Sequence, residues 1–231
     1  MIKKTVLFLV LVCASCYFPF TYYKQPTSFP TTEELLHEIN RYNSSVKAQQ
    51  IEALLAINAQ HYFVPFTTDD GKAAMSFWKW EKGKWRLVQF GTNKMKRWQL
   101  DEKDPTTSYL VWHSKLQQEA LIQLYYIRER NFLQSGDAHY YSPRIVLAQK
   151  VQVTEDYGVV PIDPEWKRVL NNLHATQLFD AFGHSFEDNG RFAVHYRNHF
   201  DSEESTETYS TGHAHTTIDY LYYVEENEVL K

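Results

Sequence analysis

The chain has 231 residues, enough for one or two domains with a buried core, and its 43% hydrophobic and 23% charged residues argue against intrinsic disorder. Aromatic residues reach 16% while glycine occurs 8 times, a balance that favours half-buried β-strands over a helical bundle. Beyond Lys3 and Lys4 the net charge is about −6, which argues against a nucleic-acid partner because phosphate backbones require clustered Lys and Arg.

Residues 1–23 have the layout of an export segment, with a cationic start and an uncharged apolar run from Val6 to Cys16. The sequence Cys13-Ala14-Ser15-Cys16 resembles a bacterial lipobox, in which Cys16 becomes lipidated, although Cys13 stands where an aliphatic residue is usual. Alternatively, residues 5–23 form an uncleaved membrane anchor, because a bilayer is crossed by ~20 residues. Both interpretations tether the body to the outer face of a membrane. A cleaved, secreted form is the third alternative.

Both cysteines of the chain, Cys13 and Cys16, lie in this segment. The body from residue 24 onward therefore cannot form a disulfide, even in an oxidising compartment. A cysteine nucleophile, a CxxC redox site and a thiolate zinc site are excluded for the body. Its stability must come from core packing.

Residues 24–45 are predicted to form a spacer and a short helix. The prolines and hydroxyl residues of 24–32 favour an extended spacer. Thr31 and Glu34 match a capping box, and apolar residues at helical spacing predict a helix over residues 32–42. The run from Val46 to Leu55 is also compatible with a helix. A β-rich extracytoplasmic domain is expected over residues 46–231, with a sub-boundary near residue 160.

The strongest strand signal lies between residues 59 and 92. A strand-like run, the turn Asp69-Asp70-Gly71 and two aromatic runs on either side of Gly83 predict a three-stranded antiparallel meander. Pro65 predicts a sheet edge or a strand end. Asp163 and Pro164 predict the start of a helix. Further strands are predicted at residues 96–100, 108–113, 120–128, 144–153, 192–200 and 216–224.

These elements define the expected fold class. The protein is predicted to be mainly β (α+β), with an antiparallel meander or sandwich-like sheet and short flanking helices. Two stretches also resemble uncharacterised exported, membrane-anchored proteins of Bacillus-like bacteria: VPFTTDDGKAAMSFWKWEKGKW (residues 64–85) and DPTTSYLVWH (residues 104–113). The resemblance spans residues 60–155. It implies an extracytoplasmic β-domain and contributes neither an activity nor site residues.

The candidate metal ligands are four histidines near the C-terminus: His195, His199, His213 and His215. The first two share one face of the predicted strand 192–200, and the last two share one face of the following strand with Asp219. If the two strands pair, the imidazoles meet on one exposed sheet face, with zinc as the candidate metal. The alternative is a solvated strand face, because the intervening loop does not fix the register.

Other constellations give weaker signals. Trp78 and Trp80 share a strand face, where they would stack on cell-wall sugars if exposed or lock the hairpin if buried. The acidic loop at residues 201–212 lacks the spacing of an EF-hand and is interpreted as solvated. Gly183-His184-Ser185 begins like a nucleophile elbow, but the final glycine of that motif is missing.

The sequence therefore predicts a membrane-tethered extracytoplasmic β-domain that interacts with a protein or a cell-wall component rather than performing catalysis. One alternative is a metal-binding protein built on the histidine cluster, with zinc as its cofactor. The other is a hydrolase whose carboxylates converge only in the fold.

Overall fold

The computed structural model describes residues 26–42, 46–92, 94–114, 120–135, 138–175, 190–197, 208–210 and 217–229. The predicted export segment with Cys16, the acidic loop from residue 201 to 207 and the segment around Ser185 lie outside the described residues. Within the described ranges, no helix is long and apolar enough to cross a bilayer.

The described part is mainly β, with largely antiparallel sheets and short helices, which confirms the predicted fold class. The helices are α1 (Thr32–Tyr42), α2 (Pro164–Ala175) and α3 (Glu226–Val229). The strands are β1 (Ala48–Ile51), β2 (Leu55–Asn58), β3 (His61–Thr68), β4 (Ala73–Glu81), β5 (Lys84–Gly91), β6 (Met95–Asp101), β7 (Asp104–His113), β8 (Ala120–Arg128), β9 (Asn131–Ser135), β10 (Ala138–Ser142), β11 (Ile145–Val153), β12 (Tyr157–Pro161), β13 (Gly190–Arg197), β14 (Thr208–Ser210), β15 (Thr217–Tyr220) and β16 (Tyr222–Tyr223).

Helix α1 begins at the predicted capping box. The Glu34 carboxylate accepts a hydrogen bond from the Thr31 backbone N–H (2.8 Å), and the Glu34 N–H donates to the Thr31 hydroxyl (3.4 Å). The expectation that the run after α1 is also helical is wrong, because that run forms β1 and β2. Its backbone is held extended by Asn40, whose side-chain amide exchanges two hydrogen bonds with the backbone of Ala48.

The first sheet has the order β1-β3-β4-β5-β14 and contains the predicted meander. Lys82 and Gly83 connect β4 to β5 with φ angles of 52° and 78°, as a two-residue type I′ turn requires. The expectation that Pro65 marks a sheet edge or strand end is wrong, because β3 continues to Thr68 and has partners on both sides. Pro65 lies at the gap between β1 and β2, where its missing N–H costs no ladder hydrogen bond.

Two further sheets have four strands each, and the second sheet lies between the first and the third. The second has the order β12-β7-β6-β15 and the third the order β11-β8-β13-β16. Alternation along β7 shows the layering, since Val111 packs in the cluster of the first and second sheets and Trp112 in the cluster of the second and third. Helix α1 covers the outer face of the first sheet through Leu35 and Ile39, and α2 packs with Trp166 into the second–third cluster.

Of the predicted pairing between residues 192–200 and 216–224, the described part of the chain forms only a short contact at Tyr222 and Tyr223. Strand β8 pairs with one edge of β13 along its whole length. Strand β16 pairs with the other edge and runs parallel to β13. Strand β15 instead joins the edge of the second sheet beside β6, because this position buries Ile218 between the first and second sheets. Strand β14 pairs with β5 in the first sheet. The described strands of this segment therefore contact all three sheets.

Candidate ligand-binding cleft

A cleft of about 470 Å³ opens between the second and third sheets, beside the end of β15 and the start of β13. Clefts of this size are where proteins bind small ligands or the ends of larger ones. Its described wall combines aromatic rings with opposite charges: Arg97, Arg191, Phe192, Asp219, Tyr220 and Tyr222.

The pairing of β15 with β6 builds one wall of the cleft. Asp219 lies opposite Arg97 in the antiparallel register, and Tyr220 lies opposite Lys96. Directly opposed residues of antiparallel strands are close enough for their side chains to interact. The ion pair and the cation–aromatic pair thus occupy successive positions of β6 and β15, where side chains alternate between the two faces of the sheet.

The ion pair fixes the carboxylate of Asp219. Arg97 donates from Nε (3.2 Å) and from Nη2 (2.5 Å) to the same carboxylate oxygen, Oδ2. The guanidinium also stacks on Phe192, with its central carbon 4.3 Å from the ring centroid. The Arg97 side chain is 12% exposed and that of Asp219 is 43% exposed. The arginine is therefore a buried support, and the carboxylate faces the solvent with its other oxygen as an acceptor for a ligand.

The second pair places a buried cation beside an exposed ring. The Lys96 ammonium lies 4.5 Å from the centroid of the Tyr220 ring. Lys96 is 1% exposed, whereas Tyr220 is 53% exposed. Burial lowers the pKa of Lys96 to about 8, and the negative charge of Asp219 acts in the opposite direction. Lys96 is not one of the residues that line the cleft; it supports the ring of Tyr220, which does line it.

Gly190 shapes the opposite wall at the start of β13. A Cβ atom at this position would lie 2.0 Å from the Tyr126 hydroxyl oxygen and 2.3 Å from the ring carbon that bears it. Both residues line the cleft. The absence of a side chain at Gly190 therefore lets the Tyr126 hydroxyl reach this wall.

The structure describes one of the four predicted metal ligands. His195 is 8% exposed, and its Nδ1 atom lies 3.0 Å from the carbonyl oxygen of Val224, to which it donates a hydrogen bond. The expectation that His195 lies on an exposed strand face is wrong, because the chain at Val224 covers this face of β13. His199, His213 and His215 lie outside the described residues. In the part of the chain that the structure describes, no group of three or more His, Cys, Asp or Glu side chains is arranged to hold a metal ion.

The tryptophans of the hairpin are buried rather than exposed. Trp78 is 2% and Trp80 is 6% exposed. The rings of Trp80 and Trp85 pack edge to face at 5.5 Å across β4 and β5. Phe29, in the chain that precedes α1, packs edge to face on Trp85 at 4.8 Å. The tryptophans therefore lock the hairpin, as expected if they are buried, and do not form an exposed surface for sugars.

Sequence reasoning named Asp219 only as a carboxylate on the face of the predicted histidine cluster and did not predict the cleft or the partners that surround Asp219 in it. One local signal existed at Lys96, which shares a predicted strand face with the apolar Trp98 and Leu100. A lysine on an apolar strand face is unusual, because burying its charge costs folding free energy. No comparable signal connects β6 with β15, which lie more than a hundred residues apart in the chain.

No protein-family model matches this chain, nor does any curated protein or any solved structure. The functional argument therefore depends on the geometry of the cleft and on the sequence.

Proposed function

We propose that the chain is a membrane-tethered extracytoplasmic binding module whose cleft binds a polyhydroxylated component of the cell wall. The observation that carries this proposal is the position of two exposed tyrosine rings beside a fixed ion pair in one cleft. Tyr220 and Tyr222 are 53% and 61% exposed, and both line the cleft with Arg97 and Asp219. Exposed rings that are grouped at one cleft indicate a contact surface more strongly than rings that are exposed singly.

Sugars match this combination of groups. The C–H faces of a pyranose ring pack on aromatic side chains, which offer a flat apolar surface at little cost in conformational entropy. The hydroxyl groups of a sugar donate to carboxylates and accept from guanidinium groups. Asp219 and Arg97 supply both partners side by side, and Arg97 is held rigidly by Phe192. Rigid polar groups bind with little loss of side-chain freedom.

The number of carboxylates among the described residues of the cleft favours binding over hydrolysis. Cleavage of a glycosidic bond by the common mechanism uses two carboxyl groups that flank the bond. Among the described residues that line the cleft, Asp219 is the single carboxylate. Its Oδ2 atom is occupied by Arg97, which favours a role as a fixed acceptor.

The tether is supported by the sequence of residues 1–23. An apolar segment behind two lysines is typical of export, and both the lipidated and the anchored interpretation leave the body outside the membrane. A cell-wall ligand is then within reach of the cleft. The resemblance of residues 60–155 to exported proteins of Bacillus-like bacteria agrees with this placement.

A titration tests the proposal. The full chain in detergent is titrated calorimetrically with a neutral N-acetylglucosamine oligomer, and we expect saturable binding. Replacing Tyr220 and Tyr222 together with Ala should weaken binding at least about tenfold, because stacking on two rings is worth a few kcal/mol. The matched control is Tyr141→Ala, which removes a ring that is 68% exposed on β10. Undetectable binding at millimolar glycan, or equal weakening in the control, would overturn the proposal.

A further inference from the structure

The cleft carries a local positive charge within an acidic chain. Arg97 and Arg191 line it against one carboxylate, Asp219. A third cation, the Lys96 ammonium, does not line the cleft but lies 4.5 Å from the centroid of the Tyr220 ring, which does. The chain as a whole has a net charge of −4. A cleft whose sign opposes that of the protein attracts ligands of negative charge while the rest of the surface repels them.

We infer that the ligand carries a carboxylate or a phosphate, and that Arg191 is the residue that binds this anionic group. This inference rests on the proposed function, because it names the chemical class of the glycan held in the same cleft. The three cations are not equivalent, and their surroundings decide which of them is open to a ligand.

Two of the cations are already engaged by the protein. Arg97 is committed to Asp219 and to the Phe192 ring, and its side chain is 12% exposed. Lys96 is 1% exposed and packs against Tyr220. Both add to the positive potential near the cleft, and neither is open to bind an anionic group.

Arg191 differs from these two cations in that it is exposed. It lies at the start of β13, between Gly190 and Phe192, and all three residues line the cleft. A guanidinium presents parallel N–H donors that match the two oxygens of a carboxylate or phosphate. Charge-assisted bonds of this type are stronger than those to a neutral hydroxyl. The sugar ring would then lie on Tyr220 and Tyr222, with its anionic substituent directed toward Arg191.

Three probes test whether the cleft prefers a neutral ligand, a carboxylate or a phosphate. The first is the neutral N-acetylglucosamine oligomer, the second is an N-acetylglucosamine–N-acetylmuramic acid disaccharide with a free carboxylate, and the third is a glycerol-phosphate oligomer. We expect at least one of the two anionic probes to bind about tenfold or more tightly than the neutral one. Its affinity should fall as the salt concentration rises, whereas that of the neutral probe should not.

The variant Arg191→Gln removes the charge and keeps a polar side chain. It should reduce the affinity for the preferred anionic probe to that of the neutral oligomer, and Arg191→Lys should retain part of the preference. The matched control is Arg130→Gln, which removes an exposed arginine between β8 and β9. Equal affinity of the wild-type chain for neutral and anionic probes would overturn the inference and leave the proposed function standing. Binding of none of the probes would overturn both.

Discussion

The ammonium of Lys96 lies 4.5 Å from the centroid of the Tyr220 ring, so that a fully buried cation supports an aromatic ring that is half exposed. Burial lowers the pKa of Lys96 to about 8 even though the charge of Asp219 acts in the opposite direction, so desolvation outweighs the interactions that favour the ammonium. The position is therefore expensive for folding. Costly groups of this kind concentrate at functional sites, where they are retained for what they do there. The pair thus supports the assignment of the neighbouring cleft as the functional site.

Replacing Lys96 with Met should stabilise the folded chain. The substitution keeps the length of an unbranched side chain and removes the cost of burying charge, so the free energy of unfolding at pH 7 should rise by about 1–3 kcal/mol. Urea unfolding measures the change. Lys150→Met, at an exposed position on β11, is the control and should change the stability by less than about 0.5 kcal/mol. A less stable Lys96→Met variant would contradict this account.

The same lysine predicts a pH dependence. Its pKa is lowered to about 8 in the folded chain, from 10.5 when unfolded, so the unfolded chain binds more protons between these two values. The wild-type stability should therefore rise with pH across this window, by up to about 3 kcal/mol from this group. Lys96→Met lacks this group, and its advantage over the wild type should shrink between pH 8 and pH 10.5. Unfolding curves that stay parallel across the window would show that Lys96 does not titrate as described.

Replacing Asp219 with Asn should destabilise the chain as well as weaken glycan binding. The Arg97 guanidinium, 12% exposed, would lose the negative charge that balances it, at a cost of about 1–2 kcal/mol. The control is Glu38→Gln, which breaks an ion pair with Arg41 at 2.8 Å on the surface of α1. That change should cost less than about 0.5 kcal/mol. A double-mutant cycle with Arg97→Gln should show a positive coupling, and additive effects would contradict the pairing.

Local interactions account for what could be predicted from the sequence. The capping box of Thr31 and Glu34 and the turn at Gly83 were found because their partners lie within a few residues of each other. Helix α2 begins as predicted at Pro164, where the Asp163 carboxylate accepts from the Glu165 N–H (2.8 Å).

Interactions between distant segments account for what could not be predicted. The run after α1 forms strands because Val46 and Ala48 are buried against the helix, a contact that periodicity does not reveal. The cleft depends on the register between β6 and β15, which places Asp219 beside Arg97. Only tertiary packing sets that register, so the sequence grouped Asp219 with the histidines of the predicted metal site and not with Arg97.

His61 should make the fold sensitive to acid. It is 6% exposed, its ring packs edge to face against Trp98, and its Nδ1 atom lies 3.0 Å from the side-chain oxygen of Asn58. Burial, with a smaller contribution from the charge of Lys79, lowers its pKa to about 4 from 6.5. The unfolded chain therefore binds the additional proton, and stability is lost as the pH falls from 6.5 to 4, by up to about 3 kcal/mol.

The variant His61→Phe tests this account, because it keeps an aromatic ring beside Trp98 and removes the titrating group. Relative to this variant, the wild type should lose about 2–3 kcal/mol of stability between pH 7 and pH 4.5, as measured by urea unfolding. His37→Phe, on the exposed face of α1, should leave the acid dependence unchanged. If His61→Phe loses as much stability in acid as the wild type, another group is responsible.

Gly158→Ala should be far more damaging than a change at a glycine with open surroundings. A Cβ atom at Gly158 would lie 2.2 Å from the ring of Trp112, its cross-strand partner, and Trp112 is 6% exposed in the core of the second and third sheets. The ring would have to move against packed neighbours and strain the hydrogen bond from its Nε1 atom to the Glu155 carbonyl (3.1 Å). The expected loss is about 2–3 kcal/mol.

The comparison is Gly71→Ala, in the turn between β3 and β4. Gly71 has a φ of +80°, and a Cβ atom there would meet nothing within 4 Å, so the cost is limited to backbone strain of about 1 kcal/mol. Urea unfolding of both variants should rank Gly158→Ala as the less stable. Trp112→Leu is costly by itself, yet adding Gly158→Ala to it should cost less than Gly158→Ala costs in the wild type, because the smaller side chain leaves room for the methyl group. Additive losses would show that the damage at Gly158 arises from the backbone and not from the ring of Trp112.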